Sequence, residues 1–187
     1  EDNVSRSYKL IEAAERIVIL THLSPDGDAV GSSLGLYHFL KEIGKEPVVI
    51  VPNRFPSFLN WMSGASDIVV LEEKHKEVQG LITEADLLIC VDFNDLKRID
   101  GAKPFVEQSH AKKILIDHHL LPEAFADVTI SHPEISSSSE LVFRLICRMG
   151  FFQNITKACA ESIYVGMMTD TGNFSYASQS PEIYHII

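Results

Sequence analysis

Four separated stretches of this chain each place aspartate or histidine where a hydrophobic run gives out. They are His22, Asp26 and Asp28 in ILTHLSPDGDAVGSS, Asp92 in LLICVDFND, Asp117, His118 and His119 in KILIDHHL, and Asp170 in YVGMMTDTGNF. Converging carboxylates repel one another and raise each other's pKa unless cations lie between them, so such a set is costly without divalent metal. The residues therefore point to a metal-dependent active site. Oxygen and imidazole donors without thiolates suit manganese first, then magnesium, with zinc or cobalt also able to bind. Two such ions could share a bridging carboxylate, activate a water as hydroxide and stabilise the entering and leaving oxygens of in-line attack at phosphorus. That chemistry is phosphoester hydrolysis.

Each stretch taken alone has a plainer role. Ser24, Asp26 or Asp28 could cap the following helix, Asp92 could be an ordinary strand-end aspartate, and Asp170 could close a turn with Thr171 and Gly172. For a single loop, capping and ligation weigh about evenly. Four matching segments, with adjacent imidazoles at His118 and His119 that have no obvious packing role, move the balance to ligation. Arg98, beyond Asp92, could offer a guanidinium fork to a substrate phosphate or be a solvated surface arginine. Serines 136–139 could hold phosphate at a helix amino terminus, but capping explains them equally and they stay outside the expected site.

The elements that must position these groups alternate between strand and helix. Short β-branched runs at residues 16–22, 46–52, 67–71, 85–93 and 112–119 read as strands. Helical spacing covers about 29–43, a short piece at 56–62 introduced by Pro56, the polar stretch 72–80, a helix near 103–110, and 135–150 and 156–174. Gly31 and Gly35 lie four apart and would let the first of these helices approach a sheet closely, while Gly44 and Gly150 are stop signals. Continuous apolar strands separated by helices predict an α/β fold, a doubly wound, mainly parallel sheet with helices on both faces. In such sheets ligands bind beyond the carboxyl ends of the strands, which is where His22, Asp92 and residues 117–119 fall.

Composition bounds the partners. A length of 187 residues suits one domain, and 45% apolar with 22% charged residues is ordinary for a folded globular chain. The formal net charge of -10 disfavours a duplex-gripping surface and leaves small phosphorylated ligands open. Three cysteines, Cys90, Cys147 and Cys159, with no CxxC pairing, argue against a disulfide framework and fit a reducing cytoplasm. No apolar run approaches the roughly 18 residues of a membrane span, and no signal-peptide pattern opens the chain. The chain starts at Glu1 without Met and stops inside PEIYHII with no capping signal, so a carboxyl-terminal continuation is expected.

The segments HLSPDGDAVGS, VDFND, IDHH and TDTGNF resemble, in order and over most of the chain, the four successive motifs of the DHH phosphoesterase superfamily. Among its branches the chain is most similar to the amino-terminal half of the NrnA-like DHH/DHHA1 type, bacterial oligoribonucleases that also act as 3'-phosphoadenosine-5'-phosphate phosphatases. The resemblance implies that residues 1–187 are the DHH catalytic domain, and the glycine and histidine-rich motif of the DHHA1 substrate-binding domain is absent from them. It further implies two manganese ions, one on His22, Asp26 and Asp92, the other on Asp28, Asp92, His118 and Asp170, with Asp92 bridging. His119 would face the substrate phosphate, and Asp117 would orient a neighbouring histidine. The expected substrates are short single-stranded RNA or nucleotide 3',5'-bisphosphates, rather than duplex nucleic acid or a membrane, and a homodimer is compatible with this. Alternatives sharing the metal core are a cyclic or linear dinucleotide phosphodiesterase, a RecJ-type single-strand exonuclease and a second-family pyrophosphatase; of a different class is a non-catalytic nucleotide-sensing or partner-binding module that keeps the metals but does little chemistry.

Overall fold

The computed structural model describes residues 2–176, 181 and 183–186, so that positions 182 and 187 of the terminal PEIYHII stretch lie outside the described residues. The apolar runs form six strands, β1 (Ile17–Leu20), β2 (Val48–Val51), β3 (Val69–Val70), β4 (Leu87–Val91), β5 (Lys112–Asp117) and β6 (Val128–Ser131). Among the described residues they make one sheet in the order β3-β2-β1-β4-β5-β6, with every neighbouring pair parallel. The strand order reverses between β1 and β4, and sheets of this kind bind ligands at such a switch point, beyond the carboxyl ends of the strands.

Alternate side chains of each strand feed opposite cores. Ile17, Ile19, Leu87, Ile89, Val91, Ile114 and Ile116 face one way. There they meet α1 (Asn3–Ala13), α2 (Gly27–Glu42), α5 (Ser138–Arg148) and α6 (Lys157–Asp170) through Ile11, Phe39, Leu145 and Met167. Val18, Leu20, Leu88, Cys90 and Leu115 face the other way, onto Val78 and Ile82 of α3 (His75–Glu84) and Val106 of α4 (Lys103–Gln108). A period of two with both phases apolar is what a sheet covered on both faces requires. The doubly wound α/β architecture is therefore present, and none of its helices among the described residues is long and apolar enough to cross a membrane.

Local outcomes differ from the sequence reading at several points. The polar helix α1 and the edge strand β6 were not anticipated. Only Val4, Ser7 and Ile11 of α1 are buried, and only Val128 and Ile130 of β6, so neither apolar stripe stands out from its polar neighbours. The short helix expected at 56–62 reduces to a 3-10 turn, Ser57–Leu59, with Trp61 exposed. The polar helix expected at 72–80 lies later, over α3.

Gly31 and Gly35 do allow a close approach, but to a helix and not to the sheet. A Cβ on Gly31 would stand 2.6 Å from the Ser162 carbonyl oxygen and 2.8 Å from the Gly166 Cα, both backbone atoms of α6, and one on Gly35 would meet the Ile163 side chain. Asp28 lies in the first turn of α2 and Asp170 ends α6, so this crossing sets the distance between two of the expected ligands. Backbone cannot swing aside as a side chain can. Gly31→Ala is therefore expected to destabilise the fold by about 1–3 kcal/mol and to weaken manganese uptake, as read by urea denaturation and calorimetric titration. Unchanged values for both would show that the helices separate freely.

Candidate metal centre

Each chemistry-bearing residue sits at the last residue of a strand, one or two positions past one, or at a helix end. His22 follows β1, and its Nδ1 lies 2.8 Å from the Leu23 carbonyl oxygen. That carbonyl can only accept, so Nδ1 donates there and Nε2 is the nitrogen turned to the site. Nε2 faces Asp92 Oδ2 at 3.5 Å and Asp26 Oδ2 at 4.0 Å. His118, just past β5, repeats the device with its Nδ1 3.3 Å from the Ile135 carbonyl oxygen. Its Nε2 faces Asp170 Oδ2 at 3.4 Å, Asp92 Oδ1 at 3.7 Å and Asp28 Oδ2 at 3.9 Å.

Asp26 takes both of the roles between which its sequence was ambiguous. Its Oδ1 accepts from the Asp28 and Ala29 amides, each at 3.0 Å, capping α2, while Oδ2 is the oxygen turned to His22. The cap starts α2 at Gly27, earlier than periodicity suggested. Asp92, the residue after β4, adopts a left-handed φ of 64° and donates its amide to the Ile116 carbonyl at 3.0 Å. Aspartate tolerates that conformation better than most non-glycine residues. The outcome is a buried carboxylate with one oxygen toward His22 and the other toward His118 and His119.

Asp28 is buried in the first turn of α2, and its two oxygens accept the amides of Ser138 and Ser139 at 2.6 and 2.9 Å. Those amides belong to the first turn of α5, so the helix amino terminus that could have held a phosphate holds Asp28 instead. Ser137 is the cap of α5, accepting from the Glu140 amide at 3.1 Å. Sequence reasoning left these serines out. The S-S-S-S-E pattern signalled a cap, but nothing in it signalled that the helix points at a carboxylate 110 positions away.

Asp117 ends β5, fully buried, and holds His119 at two points. Its Oδ1 lies 2.7 Å from the imidazole Nδ1, and its Oδ2 accepts the His119 amide at 3.0 Å. Arg98 is half-buried in the 3-10 turn Leu96–Ala102, and its carbonyl accepts the Leu23 amide at 2.7 Å, tying that turn to the His22 loop. Its guanidinium is near enough to oppose protonation of His119.

The electrostatics carry the cost of this gathering. Burial first, and then the charges of Asp28 and Asp26, pushes the Asp92 carboxyl well above the usual range. Burial raises Asp28 as well, and burial with the Asp28 charge raises Asp170 to about 6. His119 is raised, chiefly by its hydrogen bond to Asp117. The donor atoms of His22, Asp26 and Asp92 lie within 4.8 Å of one another, as do those of Asp28, His118 and Asp170 and those of Asp92, His118 and His119. Two donors each about 2.2 Å from one ion are separated by roughly 3 to 4 Å, so separations of 3.4 to 4.0 Å between lone-pair-bearing atoms suit ions between them. Mutually repelling carboxylates, Asp28 and Asp92 among them buried, with imidazole nitrogens opposite them fit a divalent-cation centre in two halves.

All eight residues expected in the site from the motifs, and Arg98 beside them, thus meet at the sheet's switch point. A family model described as DHH family, N-terminal domain, matches residues 16–167. The chain is 33% identical over 186 residues to the bifunctional oligoribonuclease and PAP phosphatase NrnA of Thermus thermophilus, covering 98% of this chain and 51% of that protein. It thus spans about half the length of that relative, as it does of the Bacillus subtilis protein of the same name. An exopolyphosphatase-related protein from Bacteroides fragilis superposes with a TM-score of 0.97 at 58% identity, covering 98% of this chain and 54% of that one. RecJ from Thermus thermophilus, solved with Mn2+, shares the fold at a TM-score of 0.52 and 16% identity, over 91% of this chain and 24% of its own. On its motifs, its fold and the match over residues 16–167, the chain belongs to the DHH family.

Proposed function

We propose that this domain is the catalytic half of a manganese-dependent phosphoesterase acting on short oligoribonucleotides and on nucleotide 3',5'-bisphosphates. The observation that carries the reading is the division of Asp92, whose Oδ2 faces His22 and whose Oδ1 faces His118, the histidine that Asp28 and Asp170 also face. In this reading one cation rests on His22, Asp26 and Asp92, and a second on Asp28, Asp92, His118 and Asp170. Bound there, the pair would stabilise charge on the phosphoryl oxygens and lower the pKa of a water near them. The similarity to NrnA proteins supports the choice of substrates.

The protein's own groups divide the remaining work. Asp117 fixes the His119 ring from Nδ1 and favours its imidazolium, leaving Nε2 to donate to a phosphate oxygen or to the departing oxygen. Arg98 adds a cation on the same side. The acidic balance of the chain opposes a long duplex and leaves a short single strand or a mononucleotide as substrate. A reducing, cytoplasmic setting accords with three free cysteines, of which Cys90 and Cys159 are buried, and the domain is compatible with a homodimer.

Hydrolysis of a short RNA and of 3'-phosphoadenosine 5'-phosphate by the intact protein with Mn2+ tests the reading, with a cyclic dinucleotide as a third arm. Turnover of neither of the first two would overturn it; turnover of the third alone would place the protein among the dinucleotide phosphodiesterases. His119→Ala should lower kcat by about 10²- to 10⁴-fold while leaving manganese uptake intact. Loss of an ion in that variant would make His119 a ligand in place of a phosphate-facing group.

A further inference from the structure

Ser138 occupies a position for which the ligand set does not account. It is fully buried at the start of α5, its amide donates to Asp28 Oδ2 at 2.6 Å, and its hydroxyl donates to Asp92 Oδ1 at 2.9 Å. One residue therefore touches the carboxylates of two different chain segments, and it reaches Asp92 at the oxygen that faces His118 and His119. Its own placement is fixed from behind. Glu140, 2% exposed, accepts the Ser136 hydroxyl at 2.6 Å on Oε2, and Arg144 donates to Oε1 through Nε at 2.8 Å and Nη2 at 2.6 Å. A charge-assisted fork of this kind is among the stiffer side-chain contacts, so the turn carrying Ser138 has little freedom.

We propose that Ser138 is a positioning residue for the two-cation centre, its hydroxyl setting the rotation of Asp92 so that the carboxylate divides its oxygens between the two halves. Asp92 needs such a constraint. A carboxylate turning about its terminal bond, a soft torsion, could give both oxygens to one ion, and its backbone fixes only where the side chain starts. With the Ser138 hydroxyl on Oδ1, the plane is set and Oδ2 is left to His22. The reactive geometry of a two-metal site depends on a fixed spacing between the ions, and groups that orient ligands without binding metal typically contribute about 10- to 100-fold in metal affinity.

The inference rests on the cluster being a two-cation centre, and the test separates the two. Calorimetric titration with Mn2+ gives stoichiometry and affinity for the intact protein, and electron paramagnetic resonance reports whether two Mn2+ ions are exchange-coupled through a shared bridge. The unaltered protein should bind two ions with a coupled spectrum; failure to bind them overturns the proposed function itself. Ser138→Ala should weaken the second ion by about 10- to 100-fold and diminish the coupled signal, and Ser138→Thr, which keeps the hydroxyl, should restore both. Ser33→Ala removes another fully buried hydroxyl, one bonded only within α2 to the Ala29 carbonyl at 2.7 Å, and should leave stoichiometry and coupling unchanged. Two coupled ions at unaltered affinity in Ser138→Ala would overturn the role of Ser138 while leaving the centre standing. Equal losses in Ser138→Ala and Ser33→Ala would also overturn it, by showing a general packing effect.

Discussion

Asp92→Ala is expected to lower phosphoester hydrolysis by roughly 10⁴-fold or more and to eliminate the paired uptake of manganese. In the proposed centre the substitution withdraws an oxygen from each half at once, whereas each other proposed ligand serves one half. Several kcal/mol of charge stabilisation in the transition state correspond to that loss. Arg98→Ala removes at most one charged contact to phosphate, worth about 10- to 100-fold. Comparable losses in the two variants would refute the bridging assignment.

The same residue gives a stability result of opposite sign. Asp92 is buried beside Asp28, and burial pushes its carboxyl up, so without cations the ionised form opposes folding. Asp92→Asn keeps the shape and can still accept the Ser138 hydroxyl while removing the charge. The metal-free variant should therefore unfold at a higher temperature than the metal-free parent at pH 7.5, by roughly 2–4 °C for each kcal/mol relieved. Added Mn2+ should raise the Tm of the parent and leave that of the variant almost unmoved. A variant less stable than its parent without metal would mean that Asp92 stabilises the fold by contacts that need its charge.

The second large effect concerns pH. Without cations, Asp28, Asp92 and Asp170 have folded-state pKa values above their ordinary value, Asp170 at about 6. Between the unfolded value near 4 and the raised folded values the folded chain holds more protons, so stability falls as pH rises through that window. His119, also raised, acts in the same direction: its contribution is complete below the ordinary imidazole value and is lost as pH climbs through the folded one. Carboxylates outside the cluster such as the exposed Asp86 and the half-buried Asp95 are lowered, and their opposite contribution is confined to more acid conditions. Metal-free protein should thus show its Tm declining from about pH 5 to pH 8. With Mn2+ the trend should reverse, because cations displace the protons that the carboxylates otherwise keep, and the metal-induced gain in Tm should grow with pH. A flat metal-free profile would mean that these carboxylates are hydrated and independent of one another.

The fold and the site were legible in the sequence to different depths. Strands β1, β4 and β5 are apolar in both phases, and a run of that kind has few alternatives to burial inside a parallel sheet, so their placement could be read directly. Strand β6 is half polar and α1 mostly polar, and their stripes of two or three buried residues acquire meaning only against the core they cover. Gly31 and Gly35 announced a close approach without naming the partner, since spacing within one helix says nothing about which surface lies opposite. That surface proved to be α6.

The sequence by itself determined the candidate ligand types, their attachment to strand and helix ends, and hence their gathering at the carboxyl edge of a parallel sheet. These follow from local pattern, because hydrophobic period and the terminus of each run are written in neighbouring residues. Only the tertiary structure decided that Asp92 turns one oxygen to His22 and the other to His118, that Asp117 holds His119, and that the amino end of α5 holds Asp28 while Ser138 reaches Asp92. Contacts between residues 46 and 110 positions apart depend on how helices cross and where a left-handed backbone step aims a side chain. No local pattern encodes those directions. They arise when the two cores close on the sheet.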